Sequence, residues 1–465
     1  MLMPKSLTQM SWRWLLVGAL VALVAVAVAC GDDDDDDGDA SPTVTDVGAT
    51  ETAAPAPCED GPGVTGLLDN LKVGVLVPFT GALATFGPEY ENAARLAAKC
   101  INDAGGVNGG EVEIIIGDTG TAAEVGVTAA NTLVNVDNVV GIVGAASSAV
   151  TLAIAESVTG PGQVLMISPA STSPALSAAA DDDFLFRTPI SDAAQGVLLA
   201  QLIADDLGFT SVCAMYVNNA YGQGLLDSFT TAYEDGGGSV TASVAHDDAQ
   251  EVSYASQLEQ CTADDPEALV AISYPVGQAT VYLREALEGS VIEEFVFVDG
   301  TRDDEMSAGL GWENFDGMQG TAPGALTTAF GDAFDDLYEA EFGSLYQTPF
   351  VREAYDATVS IVLAAAAAGT NTDSVAIRDS LRDVANPPGD VFGPGADDVG
   401  DAVAAATAGT DIDYQGASGS VDFDSNGDIT FGAIEIWQVD AANEEIVVIK
   451  RFSVDLTTGE VLELL

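Results

Sequence analysis

From Leu71 onward, short apolar runs alternate with longer stretches whose apolar residues return at helical spacing. The short runs predict strands at 71–78, 111–119, 139–145 and 164–168. The longer stretches predict helices at 88–103, stopped by Gly105-Gly106, and at 122–135. A third helix opens at Ser147-Ser148 and carries apolar Val150, Leu152, Ile154 and Val158. The stretch 184–190, FLFRTPI, interrupts the rhythm, which then restarts. Helices are predicted at 192–207, 221–235, 254–261 and through Leu287. Strands fall at 211–217, 239–245, 268–274 and 294–299. Such alternation predicts an α/β fold: right-handed βαβ units, parallel sheets flanked by helices, and two successive lobes of similar size. From Gly317 the character changes. GMQGTAPGA reads as an extended crossing segment, helices follow at 327–342, 351–368, 373–384 and 397–408, and the remainder from Ser420 is β-rich. The stretch 422–428, DFDSNGD, superficially resembles a calcium loop. Ala433 stands where an EF-hand needs its bidentate Glu, so Asn426-Gly427 predicts a hairpin turn instead.

Length and charge narrow the picture. A chain of 465 residues exceeds one ordinary core. With 48% hydrophobic residues it can bury more than one. There are 73 acidic residues against 13 Lys and Arg, a formal net charge of -60. A surface of that sign repels nucleic acid and anionic lipid, which argues against DNA or RNA as a partner. The acid is spread along the chain rather than clustered, which favours adaptation to high salt over a site for cationic ligands.

Residues 1–29 read as a targeting segment. Lys5 and Arg13 supply positive charge, and residues 14–29 are apolar but short for a membrane span. The sequence VAVAC around Cys30 resembles a bacterial lipoprotein signal, in which the Cys is lipidated; an uncleaved anchor is the alternative. An Asp run at 32–37 and a Ser/Thr/Pro/Ala-rich stretch follow. They read as a solvated tether over 30–69. Four further cysteines remain: Cys58, Cys100, Cys213 and Cys261. In an exported protein they suggest disulfides, with three connectivities open. The preferred pairing is Cys58 with Cys100 and Cys213 with Cys261. No CxxC or His/Cys cluster supports a metal site.

Open parallel sheets bind ligands beyond the carboxyl ends of their strands. Here those ends carry Phe79-Thr80-Gly81 with Phe86 nearby, Ser147-Ser148, and Pro169 to Thr172 in the first lobe. In the second they carry Asn218, Asn219, Tyr221, Tyr274 and Asp299. Serines at a helix start leave backbone N–H groups pointing outward, a cradle for a carboxylate, although serine there also simply caps. Hydroxyls and donors facing aromatics and acids suit a small polar molecule with a carboxylate at one end and a cation at the other.

These motifs together resemble the branched-chain amino-acid type of extracytoplasmic solute-binding lipoprotein that serves ABC importers, with the type I periplasmic-binding-protein fold. The resemblance covers about 71–439. It rests on VGVLVPFTGALATFGPEYENAARLAAKCINDAGGVNG, GAASSAV, ISPASTSPAL, FLFRTPISDAAQG, NNAYGQGL, REAYDATVSIVLAAA and FDSNGDI. It implies two Rossmann-like lobes joined by three hinge crossings, near Arg187, near Gly320 and near 429–436, with a ligand cleft between them. Lobe 1 would comprise 70–187 and 320–430, lobe 2 188–319 and 431–465. Motif by motif, it implies that Ser147, Ser148, Ala170 and Thr172 hold a ligand carboxylate and its surroundings. Tyr221 and Tyr274 would close the site from the second lobe. Phe86 stands where amino-acid binders often have Tyr. The family's ammonium-binding acid would align nearer Thr301, and Asp299 is the acid available to replace it. The expected partners are an amino acid or related solute, ABC permease subunits, and the membrane through Cys30. No cofactor is implied.

Two other classes deserve comparison. A surface sensor would use the same closed lobes. An enzyme finds little support: no GxSxG elbow is present, and His246, the single histidine, reads as a solvated loop residue beside Asp247 and Asp248.

Overall fold

Five parallel strands build the first sheet in a computed structural model that describes Cys58, residues 69–326 and residues 328–464. The predicted signal, Cys30 and nearly all of the tether lie outside the described residues. The chain runs β1 (Leu71–Val77), α1 (Gly87–Asp103), β2 (Val112–Asp118), α2 (Ala123–Thr132), β3 (Gly141–Gly144), α3 (Ser148–Ile154), β4 (Leu165–Ser168) and β5 (Leu185–Arg187). The strand order is β2-β1-β3-β4-β5. Strands β1, β3 and β4 are almost wholly buried because helices cover both faces, which is why their sequences are continuous apolar runs.

The second lobe repeats the pattern. It contains α4 (Asp192–Gln201), β6 (Ser211–Val217), α5 (Ala220–Asp235), β7 (Ser239–His246), α6 (Ala255–Cys261), β8 (Ala268–Ile272), α7 (Thr280–Gly289), β9 (Phe295–Val296) and α8 (Asp304–Leu310). Its parallel sheet has the order β7-β6-β8-β9. The predicted strand at 294–299 is cut short. Phe297 instead pairs with Gly320 on the returning chain, and Asp299–Thr301 forms a single tight turn.

The returning strand β10 (Gln319–Gly324) leads to α9 (Ala329–Phe342), α10 (Val351–Ala368), α11 (Ser374–Ala385), β11 (Asp390–Phe392), α12 (Ala396–Thr407) and β12 (Ile412–Tyr414). Helix α10 is buried along almost its whole length, as its apolar composition all round requires. Its Asp356 is satisfied by Tyr414 Oη, the N–H groups of Ala417 and Ser418, and Ser418 Oγ. The chain ends in β13 (Phe431–Asp440), β14 (Glu445–Asp455) and β15 (Glu460–Glu463). These form an antiparallel sheet with β10, in the order β10-β13-β14-β15, which the sequence reading did not specify. Trp437 of β13 stacks on Phe297, centroids 5.8 Å apart, and joins the second lobe's core. A side chain on Gly320 would meet the Trp437 ring at 2.5 Å, so only glycine admits this close approach.

Three passages link the two sheets, after Arg187, through β10 and into β13. Arg187 is buried. Its Nε lies 2.7 Å from the Asp428 carboxylate, and its Nη1 donates to the carbonyls of Thr172 and Ser173 at 2.9 Å. The stretch around Asn426-Gly427 is a tight turn closed by the Asp424 carboxylate, and its Asp428 serves that ion pair. Disulfides join Cys58 to Cys100 on α1 and Cys213 on β6 to Cys261 on α6. Among the described residues, no helix is long and apolar enough to cross a membrane.

Candidate functional site

The carboxyl ends of β1, β3 and β4 face those of β6, β8 and β9. Between them lies a cavity of about 20 Å³, with room for roughly one water. Of the residues expected at the site, Phe86, Ser148, Ala170, Tyr221, Tyr274 and Asp299 line this one cavity. Ser147 and Thr172 do not.

Ser147 occupies the cap position of α3, yet its side chain caps nothing. Its hydroxyl reaches across the cleft and shares a hydrogen bond with Tyr274 Oη at 3.1 Å. Capping is therefore not what this serine does. Ser148 Oγ accepts the Ser173 N–H at 3.3 Å. Thr172 sits one layer back: its carbonyl accepts from Arg187 and from the Asp192 N–H, and its hydroxyl is buried without a hydrogen bond.

On the facing lobe, Asn219 caps α5 by accepting the N–H groups of Tyr221 and Gly222, and it donates Nδ2 to Tyr274 Oη at 3.3 Å. The Tyr221 and Tyr274 rings stack with centroids 5.5 Å apart. Asp299 Oδ1 accepts from Gln195 Nε2 at 2.7 Å and from Tyr221 Oη at 2.9 Å. Burial pushes the Asp299 carboxyl up to about 6, and the bonds from Gln195 and Tyr221 oppose that rise. The N–H groups of Asp299 and Gly300 also favour its charged form. Thr301 is not the cavity acid's counterpart. Its hydroxyl is consumed by its own turn, accepting from Val298 N–H and lying within bonding distance of the Val298 and Ala271 carbonyls.

Several residues escaped the sequence reading. Leu83, Tyr90, Ala146, Gly300 and Phe350 also line the cavity. Tyr90 could have been found, because it lies one helical turn beyond Phe86 and their rings meet edge to face at 6.2 Å. Phe350 carried no local signal; it enters from the loop before α10, remote in sequence from the other walls, with a left-handed φ of 70°. Asp192 lies behind Asp299. It is fully buried, and neither carboxylate oxygen has a hydrogen bond. Burial first, then the Asp299 charge, pushes its carboxyl well up, while Thr172 and Arg187 pull the other way. It is not the cap of α4; Ser191 is.

His246 corrects the sequence reading. It is buried, not solvated, with Nε2 2.6 Å from Ser273 Oγ and Nδ1 2.9 Å from the Asp247 carbonyl. The ring also packs edge-on against Tyr254. Desolvation lowers its pKa, and Asp247 opposes the shift. Ser273 is itself fully buried, which leaves this pair without access to a substrate.

Direct contacts hold the cleft shut. Besides Ser147 and Tyr274, Thr85 Oγ1 donates to Asp303 Oδ2 at 2.7 Å, Ser173 Oγ to the Ala220 carbonyl at 2.6 Å, and Val276 N–H to the Ala82 carbonyl at 3.2 Å. Tyr274→Phe keeps the ring stack and removes two hydroxyl bonds. It should cost about 1 kcal/mol of closure, a roughly fivefold shift toward the open form. Small-angle scattering would register a larger mean radius; an unchanged radius would show the hydroxyl to be idle. Asn219→Ala should cost about 1 kcal/mol through the lost cap, read as a lower melting temperature.

The geometry defines a two-lobed α/β protein with a small buried cleft. Residues 70–440 match the family described as periplasmic binding protein. The chain belongs to that family. It is 27% identical over 360 residues to the chemotactic signal transduction system substrate-binding protein BasB of Halobacterium salinarum, covering 76% of this chain and 83% of that one. It is 28% identical over 325 residues to the Leu/Ile/Val-binding protein homolog 3 of Brucella melitensis biotype 1, covering 68% and 83%. Among solved structures, it resembles the leucine-binding protein LivK of Thermotoga maritima, with a TM-score of 0.68 and 23% identity, covering 82% of this chain and 98% of that one. Each of these three names describes a binding protein.

Proposed function

We propose that this chain captures a small amino acid with an apolar side chain, branched-chain or similar, by closing its lobes, and delivers it to an ABC permease. The observation that carries the reading is Asp299: a buried carboxylate on the cavity wall with no ion-pair partner among the described residues. Such a group gains most from a cationic partner. On the opposite lobe, Ser148 lines the cavity with a hydroxyl that accepts from Ser173 N–H and can still donate to a carboxylate, and Ser147 would join it on parting from Tyr274. Phe86, Tyr90 and Phe350 give an apolar wall for a side chain. The 20 Å³ cavity requires the lobes to part before a ligand enters and to close around it afterward. Relatives named for leucine, isoleucine and valine support the ligand class. On this reading Cys30 anchors the chain outside the cytoplasmic membrane, 30–69 is its tether, lobe 1 is 70–187 with 320–430, and lobe 2 is 188–319 with 431–465. The acidity then suits a salty exterior.

A thermal-shift screen of the full chain in detergent tests the reading. The panel holds amino acids, small amides and simple carboxylates, in low and high salt. A ligand at 100 times its dissociation constant should add about 2.7 kcal/mol. Leucine, isoleucine or valine should shift the melt, and Ser148→Ala or Tyr221→Ala should remove the shift. A response to acids lacking an ammonium, and to no amino acid, would sink it.

The relative named for chemotactic signalling favours a second use of the same site, a sensor that passes the closed state to a signalling partner. Co-purification with a permease favours import; co-purification with a membrane signal transducer favours sensing.

A further inference from the structure

Phe350 has two sides. One faces the aromatic cavity; the other walls a groove of about 300 Å³ that lies against the crossing strands. Arg302 reaches this groove from the turn that carries Asp299, Arg352 and Glu353 from the start of α10, Glu435 from β13 and Arg451 from β14. Both lobes and two of the crossings therefore contribute.

The charge of the groove is unlike that of the chain. Only 13 Lys and Arg residues face 73 acids in the whole sequence, yet three arginines converge here. The acids lining it are Asp335, Glu353 and Glu435. Burial raises the Glu353 carboxyl to about 8, which leaves it mostly neutral at pH 7. Three guanidinium groups then face two carboxylates. Those two are unevenly shared. Asp335 is held by Arg352, at 2.6 Å through Nη2 and 3.1 Å through Nε. Glu435 serves two cations: its Oε1 accepts from Arg451 Nη2 at 2.6 Å, its Oε2 from Arg302 Nη1 at 3.1 Å. Arg302 is the least committed of the three: besides Glu435 it attracts the Asp304 carboxylate, whose rise on burial it opposes. Its Nε is buried without a hydrogen bond, and Nη1 to Glu435 is its one side-chain bond among the described residues. A buried guanidinium N–H with no acceptor is costly, and a carboxylate is the group whose planar pair of oxygens best fits it.

We propose that this groove is an anion site that takes a small carboxylate against Arg302, carried either at the distal end of the cleft ligand or by a separate small acid. The first source rests on the proposed α-amino-acid capture but replaces the apolar side chain with one that ends in a carboxylate and passes Phe350, which walls both the cavity and the groove; the second source leaves that reading untouched. The guanidinium of Arg302 lies three residues beyond Asp299, so an acid held there would also brace the turn that presents the cavity's carboxylate.

Binding to the full chain in detergent, followed by thermal shift and titration calorimetry, separates the sources. In one arm, succinate is compared with sodium chloride at matched ionic strength. In the other, 2-aminoadipate is compared with norleucine. At least one acid should bind tenfold or more tightly than its neutral match. Arg302→Gln should remove that preference, while Arg302→Lys, which keeps the charge, should retain part of it and serves as the folding control. Preference for succinate alone assigns the site to a separate acid; preference for 2-aminoadipate alone assigns it to the cleft ligand. Equal binding of acid and match in both arms, or a preference that survives Arg302→Gln, overturns the proposal. Succinate binding with no response to any amino acid would overturn the amino-acid reading and leave this site standing.

Discussion

Asp299→Asn is expected to weaken binding of an α-amino acid by about 30- to 1000-fold, the equivalent of roughly 2–4 kcal/mol for losing one partner of a buried charge pair. Asparagine preserves the volume and can still accept from Gln195 and Tyr221, so the cavity walls stay in place. What it loses is the charge that an ammonium would meet. The same residue sets a pH dependence. Its carboxyl titrates at about 6 in the closed cavity. An ammonium selects the ionised form, so affinity should be level above pH 6 and fall about tenfold per unit below it. Asp299→Asn should flatten that profile. Ligand-free stability moves the other way. A carboxyl raised above its unfolded value is most favourable when protonated, below about 4, and its contribution is lost as pH rises through 6. Calorimetric titrations between pH 4.5 and 8 would check both slopes. An affinity that ignores both the substitution and pH would remove Asp299 from the site.

Glu353→Gln should stabilise the protein at alkaline pH by on the order of 4–5 kcal/mol. Glu353 is buried at the start of α10, and burial lifts its carboxyl to about 8 from an ordinary 4.5. Asp356 adds to the rise; its own backbone bond and Arg352 oppose it. The raised value means that the protonated form is the one the fold accepts. Its contribution is complete below about 4.5, declines above, and is gone once pH has passed 8. Glutamine mimics the neutral acid at every pH. Wild type and variant should therefore melt together near pH 5 and diverge by pH 9, with the variant higher. Parallel melting curves across that range would show that Glu353 is solvated or paired in solution. Because Glu353 also walls the arginine groove, its neutrality at pH 7 is part of why that groove is positive.

The two α/β lobes were legible because a parallel strand covered on both faces must be apolar throughout, and its flanking helix must carry a stripe. LKVGVLV and SVCAMYV therefore announce β1 and β6 without help from the rest of the chain. The residues at strand ends were legible for the same topological reason, and six of those expected at the site do share one cavity. Local pattern failed where the partner is remote. Strand β9 stops after two residues because Phe297 turns to pair with Gly320. His246 looked solvated among aspartates until Ser273 and Tyr254 closed over it.

By itself, then, the sequence determined the alternating elements, the acidic surface and which loops end on the cleft side, since each follows from a run of neighbouring residues. Tertiary structure alone decided the uses. It turned Ser147 from a cap into a bridge to Tyr274 and brought Phe350 into the cavity. It left the Asp299 carboxylate without an ion-pair partner among the described residues and gathered three arginines of a -60 chain against one wall. Those outcomes depend on distances between segments remote in sequence, and no periodicity or propensity encodes such distances.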